Sequence, residues 1–322
     1  MTIRFDRTGL TESSVPALEF ADAALRGVGQ VTLQNNSFTG LLFLVGIYVG
    51  SPSSCLAALV GALTSTATAY LLGLDRALVR AGLYGFNGTL VAIALAFFLR
   101  PDPVMWLYVV SAAATSTVAT AGLANLLGRN RPGLTAPFIL VTWVFVIAVD
   151  RFGALHATGM LPTAELPKGA TEVVGIVSAS TVSEGVLKGI AEIFLQDDTV
   201  TGAIFLAGLL VGSRVAGVAA ALGALVGVLV GWGLGAPEPA IRLGLFSFNP
   251  ALTAVALASV FLVLDVRSAL YSLLAVVVTA VLFSSVSAAL RPIGMPALTA
   301  PFVLVTWAFL FAAPASRRLS LR

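Results

Sequence analysis

Charge is what this sequence has least of. Only 10% of its 322 residues are Asp, Glu, Lys or Arg, against roughly 25% in a soluble domain, so the chain cannot face water on all sides. Cys55 and His156 are the only residues of their kinds, which excludes a disulfide framework, a Cys/His zinc site and a Cys–His catalytic pair within the chain. His156 also sits in a polar loop, away from any Ser/Asp partner. No Gly-rich loop leads into Lys-Ser/Thr, so there is no ATP-hydrolysing machinery of the P-loop kind. Gly82-Leu83-Tyr84-Gly85-Phe86-Asn87-Gly88 has regular glycines without dinucleotide-binding spacing. The first thirty residues include Asp6, Glu12, Glu19 and Asp22 and lack an apolar h-region; no cleavable signal is expected, and the first span should direct insertion. Chains of Asp, Glu, His or Lys, which ion-coupled carriers place inside the membrane, are missing from the apolar segments, with Glu192 the main exception.

What is present is apolar. Hydrophobic residues make up 58% of the chain, mean hydropathy is +0.99, and the runs 38–49, 105–127 and 270–290 suit a bilayer as solvent. The net charge of +3 comes from arginines scattered singly between these runs, a pattern of loop topology rather than of nucleic-acid binding.

The sequence repeats itself. Leu134-Thr135-Ala136-Pro137-Phe138-Ile139-Leu140-Val141-Thr142-Trp143 returns 164 residues later as Leu298-Thr299-Ala300-Pro301-Phe302-Val303-Leu304-Val305-Thr306-Trp307. At an offset of 162, the stretch 30–36 pairs with 192–198, Gly40 with Gly202, and Phe86-Asn87 with Phe248-Asn249. Three blocks in one order, with a two-residue slip, are a duplication. Each copy reads as an amphipathic helix (about 16–34 and 178–196) followed by five apolar segments: 37–50, 54–73, 88–99, 104–127 and 134–149, then 200–212, 215–234, 250–264, 268–290 and 298–313. The two leading helices are too polar to face lipid and are expected to be re-entrant or interfacial. Five crossings per copy is odd, so the second copy should enter from the opposite side. With the N-terminus inside, twelve Lys/Arg fall on the cytoplasmic side, Arg129 among them, and six outside, Lys168 among them. The expected fold is all-α integral membrane, with ten transmembrane helices plus two re-entrant or interfacial helices in two inverted-topology repeats. Residues 1–15 read as an N-terminal cytoplasmic tail, 16–150 as the first repeat and 151–177 as an extracellular or periplasmic connector. The second repeat covers 178–313, and 314–322 form a basic cytoplasmic tail. An inverted repeat places the functional site near mid-membrane where its copies meet.

Three matched features could line such a site. Around Phe86-Asn87 and Phe248-Asn249, Gly, Asn and Pro disfavour continuous helix. Carbonyls freed there could accept hydrogen bonds along a wet path; as plain loops, the same stretches would use Asn as a cap. Pro137 and Pro301 disrupt helix just after Thr135 and Thr299, whose hydroxyls could face the path, cap the helix they precede, or do both. Gln30 and Glu192 are equivalent polar residues that line a pore or reach for the headgroups. The glycines of 46/50, 208/212 and 223–235 follow small-xxx-small spacing and are assigned to helix packing.

These blocks resemble the urea transporter family. The matching pieces are Arg26-Gly27-Val28-Gly29-Gln30-Val31 leading to Gln34-Asn35-Asn36, Leu83-Tyr84-Gly85-Phe86-Asn87-Gly88-Thr89-Leu90, and the Leu-Thr-Ala-Pro-Phe pair. The likeness runs from about 16 to 313. It implies a homotrimer with a pore in each protomer, passing urea down its gradient without cofactor, metal or catalysis. Gln30 and Glu192 would bond urea amides at the two filter ends, and carbonyls around Phe86 and Phe248 would form acceptor rows. Leu33, Leu90, Ile193 and Leu252 would sandwich the flat solute, and Thr135 and Thr299 would flank its centre. Leu33 stands where relatives carry Phe, which bears on the tightness of that plate. The composition suggests a bacterial inner membrane. A related pore for ammonia, water or short-chain amides is the alternative, and a membrane-embedded enzyme a third class without a visible nucleophile–base set.

Overall fold

The computed structural model describes residues 3–13, 15–128, 131–165 and 175–322; Arg129, Lys168 and part of the expected connector lie outside them. The chain divides into two compact units, Met1–Leu161 and Pro162–Arg322.

The first unit contains a hairpin of β1 (Ile3–Asp6) and β2 (Gly9–Ser13), then α1 (Pro16–Gln30), α2 (Ser37–Gly50), α3 (Pro52–Leu71), α4 (Arg76–Arg80), α5 (Phe86–Phe98), α6 (Pro103–Leu127) and α7 (Ala136–Val149). The second contains α8 (Ala179–Glu192), α9 (Thr199–Gly212), α10 (Arg214–Gly233), α11 (Glu238–Arg242), α12 (Phe248–Ala254), a π-helix over Val255–Phe261, α13 (Val266–Leu290) and α14 (Ala300–Ala312). Apart from the hairpin and the π-helix, the element order is the same in both.

The helix starts follow from local chemistry. Asn36 accepts from the N–H groups of Phe38 and Thr39, and its counterpart Asp198 from Thr201, which opens α2 and α9. Asp102 and Asp265 cap α6 and α13 in the same way, the latter with a reciprocal bond from its own N–H to Ser268 Oγ. Tyr108 and Tyr271 are twins as well: each hydroxyl donates to a carbonyl on the last helix of its own unit, Phe145 or Phe309, at 2.7 and 2.8 Å.

Four helices, Pro52–Leu71, Pro103–Leu127, Arg214–Gly233 and Val266–Ile293, are long and apolar enough to cross a membrane, and six shorter helices are also apolar. Large apolar side chains stand exposed, with Leu71, Leu126 and Val266 each more than three-quarters accessible. Such a surface fits lipid rather than water, and the protein is a multi-pass membrane protein.

The structure adds to the expectation at three places. Residues assigned to an N-terminal tail include the β-hairpin, an exception to an all-helical chain, whose Arg7 and Thr8 carbonyls accept hydrogen bonds from Asn36 Nδ2 and Ser37 N at 2.9 Å each. The C-terminal segment is no free tail, because Leu321 bridges Leu262 and Arg322 N donates to the Phe261 carbonyl. Finally, the two-residue slip of the repeat has a location. Phe248 lies 162 residues after Phe86, but the bridge-forming Leu262 lies 163 after Leu99. The π-helix between them absorbs one extra residue, which is what i→i+5 winding does. The second enters between the end of α13 and Leu298, where Arg291–Ile293 forms a 3-10 turn.

Candidate functional site

In the first unit, α5 packs on α1, α3, α6 and α7; in the second, α12 packs on α8, α10, α13 and α14. Of the sequence-predicted residues, Phe86, Asn87 and Leu90 lie on α5, and Phe248, Asn249 and Leu252 on α12. In each unit the break comes just before that helix. Phe86 and Phe248 are its first residues, not part of the break as expected; the interruption is at 81–85 and 243–247.

Glycine makes the break approachable. Gly82 and Gly244 both have φ of +77°, and a Cβ on them would stand 2.4 and 2.2 Å from the backbone nitrogens of Gly27 and Gly189. The leading helix thus touches the break backbone to backbone, which only hydrogen side chains allow. In the resulting turns, the carbonyls of Leu83 and Leu245 accept no hydrogen bond among the described residues. Those of Tyr84 and Phe246 accept none either. The Phe246 oxygen faces Gly227 on α10, where a Cβ would come within 2.2 Å of it.

Gln30 and Glu192 end the two leading helices. Gln30 Nε2 donates to the Ala81 carbonyl at 2.8 Å, which fixes the amide beside the break and leaves Oε1 as an acceptor. The Glu192 carboxylate has no hydrogen bond and no ion pair among the described residues. Its helical neighbour Lys188 is paired with Asp197 at 2.7 Å. In the first unit Arg26 bonds Asn35 at 2.8 Å and is neutralised by Asp22 at 2.6 Å. The leading helices are also tied to the short helices before each break, by an Arg80–Glu19 pair in the first unit, and in the second by an Arg242–Glu184 pair (2.5 Å) and a bond from the Thr181 hydroxyl to Glu238 (2.6 Å). The Thr181 hydroxyl, then Arg242, hold the Glu238 carboxyl below the usual carboxylate range.

Both leading helices finish on a strained leucine. Leu33 has φ +62° and Leu195 φ +55°. Around them Gln34 N bonds the Gly29 carbonyl and Gln196 N the Ala191 carbonyl, a Schellman-type closure. A left-handed leucine costs on the order of 1–2 kcal/mol, and glycine is the usual occupant. Strain of this kind persists where the surroundings impose it and often marks function. Leu134 (φ +49°) and Leu298 (φ +50°) repeat the feature before α7 and α14. Positive φ leaves no trace in a leucine, so sequence could not show these four; only the repeat marks their positions.

Leu90, Leu252 and Ile193 are almost fully buried and Leu33 is half-buried. Thr135 and Thr299 occupy the N-cap positions of α7 and α14 without capping them by side chain, so the reading of these threonines as caps does not hold. The capping is done by Asn87 and Asn249. Phe138 N donates to Asn87 Oδ1 at 3.1 Å, and Asn87 Nδ2 donates to the Leu134 carbonyl at 3.4 Å and to Thr120 Oγ1 at 3.1 Å. In the second unit, Phe302 N donates to Asn249 Oδ1 at 3.1 Å and Asn249 Nδ2 to the Leu298 carbonyl at 3.1 Å. The two repeated motifs therefore meet in each unit. Thr142 and Thr306, twins in the ten-residue repeat, bury hydroxyls with no partner among the described residues; their recurrence in that block was the available signal.

The family model for "Urea transporter" matches residues 21–314. The chain is similar to Urea transporter 1 of Ovis aries, 33% identical over 299 residues that cover 91% of this chain and 77% of the relative. Urea transporter 1 of Capra hircus gives the same identity and coverage, and that of Mus musculus is 32% identical over 298 residues. The match spans all the motifs above and nearly the whole of both units, and the chain belongs to the urea transporter family.

Proposed function

We propose that this protein conducts urea passively across the membrane, past the acceptors and apolar plates that each unit carries. The observation that carries this reading is the matched pair of unspent acceptors, Gln30 Oε1 and the Glu192 carboxylate, each closing a leading helix beside a break with free carbonyls. Urea is flat and uncharged, with four N–H donors. Losing water leaves polar groups unpaired at roughly 1–3 kcal/mol each, so a path must replace those bonds. Successive main-chain oxygens do so in similar steps, avoiding a deep trap. Leu33, Leu90, Ile193 and Leu252 are placed against the flat faces, and Thr135 and Thr299 at the centre. Ions would lose far more hydration than neutral oxygens return.

In this proposal the six shorter apolar helices also span, giving with the four long ones ten crossings. α1 and α8 are re-entrant, the halves are inverted, and both termini lie in the cytoplasm of a bacterial inner-membrane protein assembled as a homotrimer. The test is urea flux in proteoliposomes, with and without proton and sodium gradients. Downhill flux indifferent to either gradient is expected; concentrative uptake driven by one of them would defeat the passive mechanism. Exchanging Thr135 and Thr299 together for valine is expected to slow flux more than the product of the single effects, because both hydroxyls serve one passing solute. Strictly multiplicative small effects in the same assay would take the hydroxyls out of the path.

A further inference from the structure

We infer that Asn87 and Asn249 are positioning residues that set the selectivity of the path by clamping the Leu-Thr-Ala-Pro-Phe segments from outside it. The inference rests on the urea-conducting reading above, but gives these two residues a different task from contacting the solute. The amide of each Asn is used up at both ends. Its oxygen takes the Phe138 or Phe302 N–H, and its nitrogen holds the Leu134 or Leu298 carbonyl. Both side chains are fully buried. Those two attachment points bracket Thr135 and Thr299, so each Thr is fixed between a clamped residue before it and a clamped residue after it.

Local chemistry explains why an external clamp is needed. Pro137 and Pro301 have no N–H, and neither Thr caps its helix with its side chain. The first turns of α7 and α14 therefore have N–H groups in want of an acceptor, in surroundings where leaving one unpaired is costly. The residue before each Thr is a left-handed leucine, strained enough to relax if its carbonyl were released. Only a side chain with an acceptor and a donor on one rigid fork can satisfy both ends at this spacing, and Asn is the shortest that can. Carrying that Asn on the second residue of α5 and α12, next to the break, couples the position of the threonine to that of the free carbonyls.

The test compares urea and N-methylurea flux in proteoliposomes for the wild type, Asn87→Asp and Asn249→Asp. Aspartate keeps the acceptor for the Phe N–H and gives up the donation to the leucine carbonyl. A residue that only stabilises the fold would lower the amount of working protein and reduce both fluxes alike. The clamp instead predicts that the N-methylurea-to-urea ratio changes about fivefold, the factor for one net hydrogen bond, in either variant. Thr120→Val is the milder companion: it removes the second partner of Asn87 Nδ2 without touching the clamp itself, and a smaller shift in the same direction is expected. Unchanged ratios in the recovered variants, with wild-type urea flux intact, would overturn the clamp alone. A wild type that fails to conduct urea would overturn the reading beneath it.

Discussion

Alanine in place of Glu192 is expected to lower urea flux by about tenfold or more, the range for losing a hydrogen bond to a charged group in a desolvated site, while Glu192→Gln keeps most of it. Glu192 has no hydrogen bond among the described residues, and the nearest cation on its own helix, Lys188, is already held by Asp197. A carboxylate left in that state is costly at membrane depth unless a solute completes it. Its twin shows which property matters. Gln30 fills the equivalent place with a neutral amide, donating to the Ala81 carbonyl and keeping its oxygen for another partner. Glutamine at 192 can adopt the same arrangement with the carbonyl of Leu243, the residue equivalent to Ala81. Flux per unit of incorporated protein, measured for both variants against the wild type, checks the prediction. Wild-type flux in Glu192→Ala would remove Glu192 from the site.

Much of this architecture was legible in the sequence, for reasons that particular residues make plain. The apolar runs reproduced helix ends to within a few residues, while the caps that set the starts of α2, α6, α9 and α13, Asn36, Asp102, Asp198 and Asp265, were not singled out in the sequence. The duplication brought the breaks to within a few residues, because Phe86-Asn87 and Phe248-Asn249 recur, but these pairs open the following helices and the interruptions lie just before them, at 81–85 and 243–247. What stayed hidden depends on contacts between segments distant in sequence. Thr135 looks like an N-cap from its neighbours alone, yet the cap is supplied by a residue 51 positions away from Phe138. The two-residue slip was visible as a count, but nothing in Val255–Phe261 announces a π-helix. The hairpin at 3–13 was missed for a related reason. It is held to the first unit through the Arg7 and Thr8 carbonyls, bonded by Asn36 and Ser37, and main-chain acceptors are the same in any sequence. Even so, the second copy contained a hint: Asp198 replaces Asn36 and cannot donate, so it could not make the bond Asn36 makes to Arg7.

The other large effect concerns the crossing of each leading helix with the first apolar helix. Gly40→Ala and Gly202→Ala are each expected to abolish recovery of folded protein. A Cβ at Gly40 would stand 1.9 Å from the Leu25 carbonyl oxygen, and one at Gly202 2.0 Å from that of Leu187. Both obstacles are main-chain atoms within helices, so no side chain can swing aside, and the helices would have to separate. Ordinary overpacking costs about 1–3 kcal/mol, and here α1 or α8 itself must shift. That movement would carry Gln30 or Glu192 away from its break, so any protein that does fold should conduct poorly as well. Gly122→Ala in α6 is the matched control: nothing lies within 4 Å of its Cβ position, and alanine there should be neutral or stabilising by about 1 kcal/mol from helix propensity alone. Yield of monodisperse protein after detergent extraction, with its melting temperature, separates these outcomes. Gly40→Ala protein recovered at the wild-type level and melting with the Gly122→Ala control would mean that α1 and α2 do not cross at backbone contact, and that Gln30 is not held beside the break by the route described.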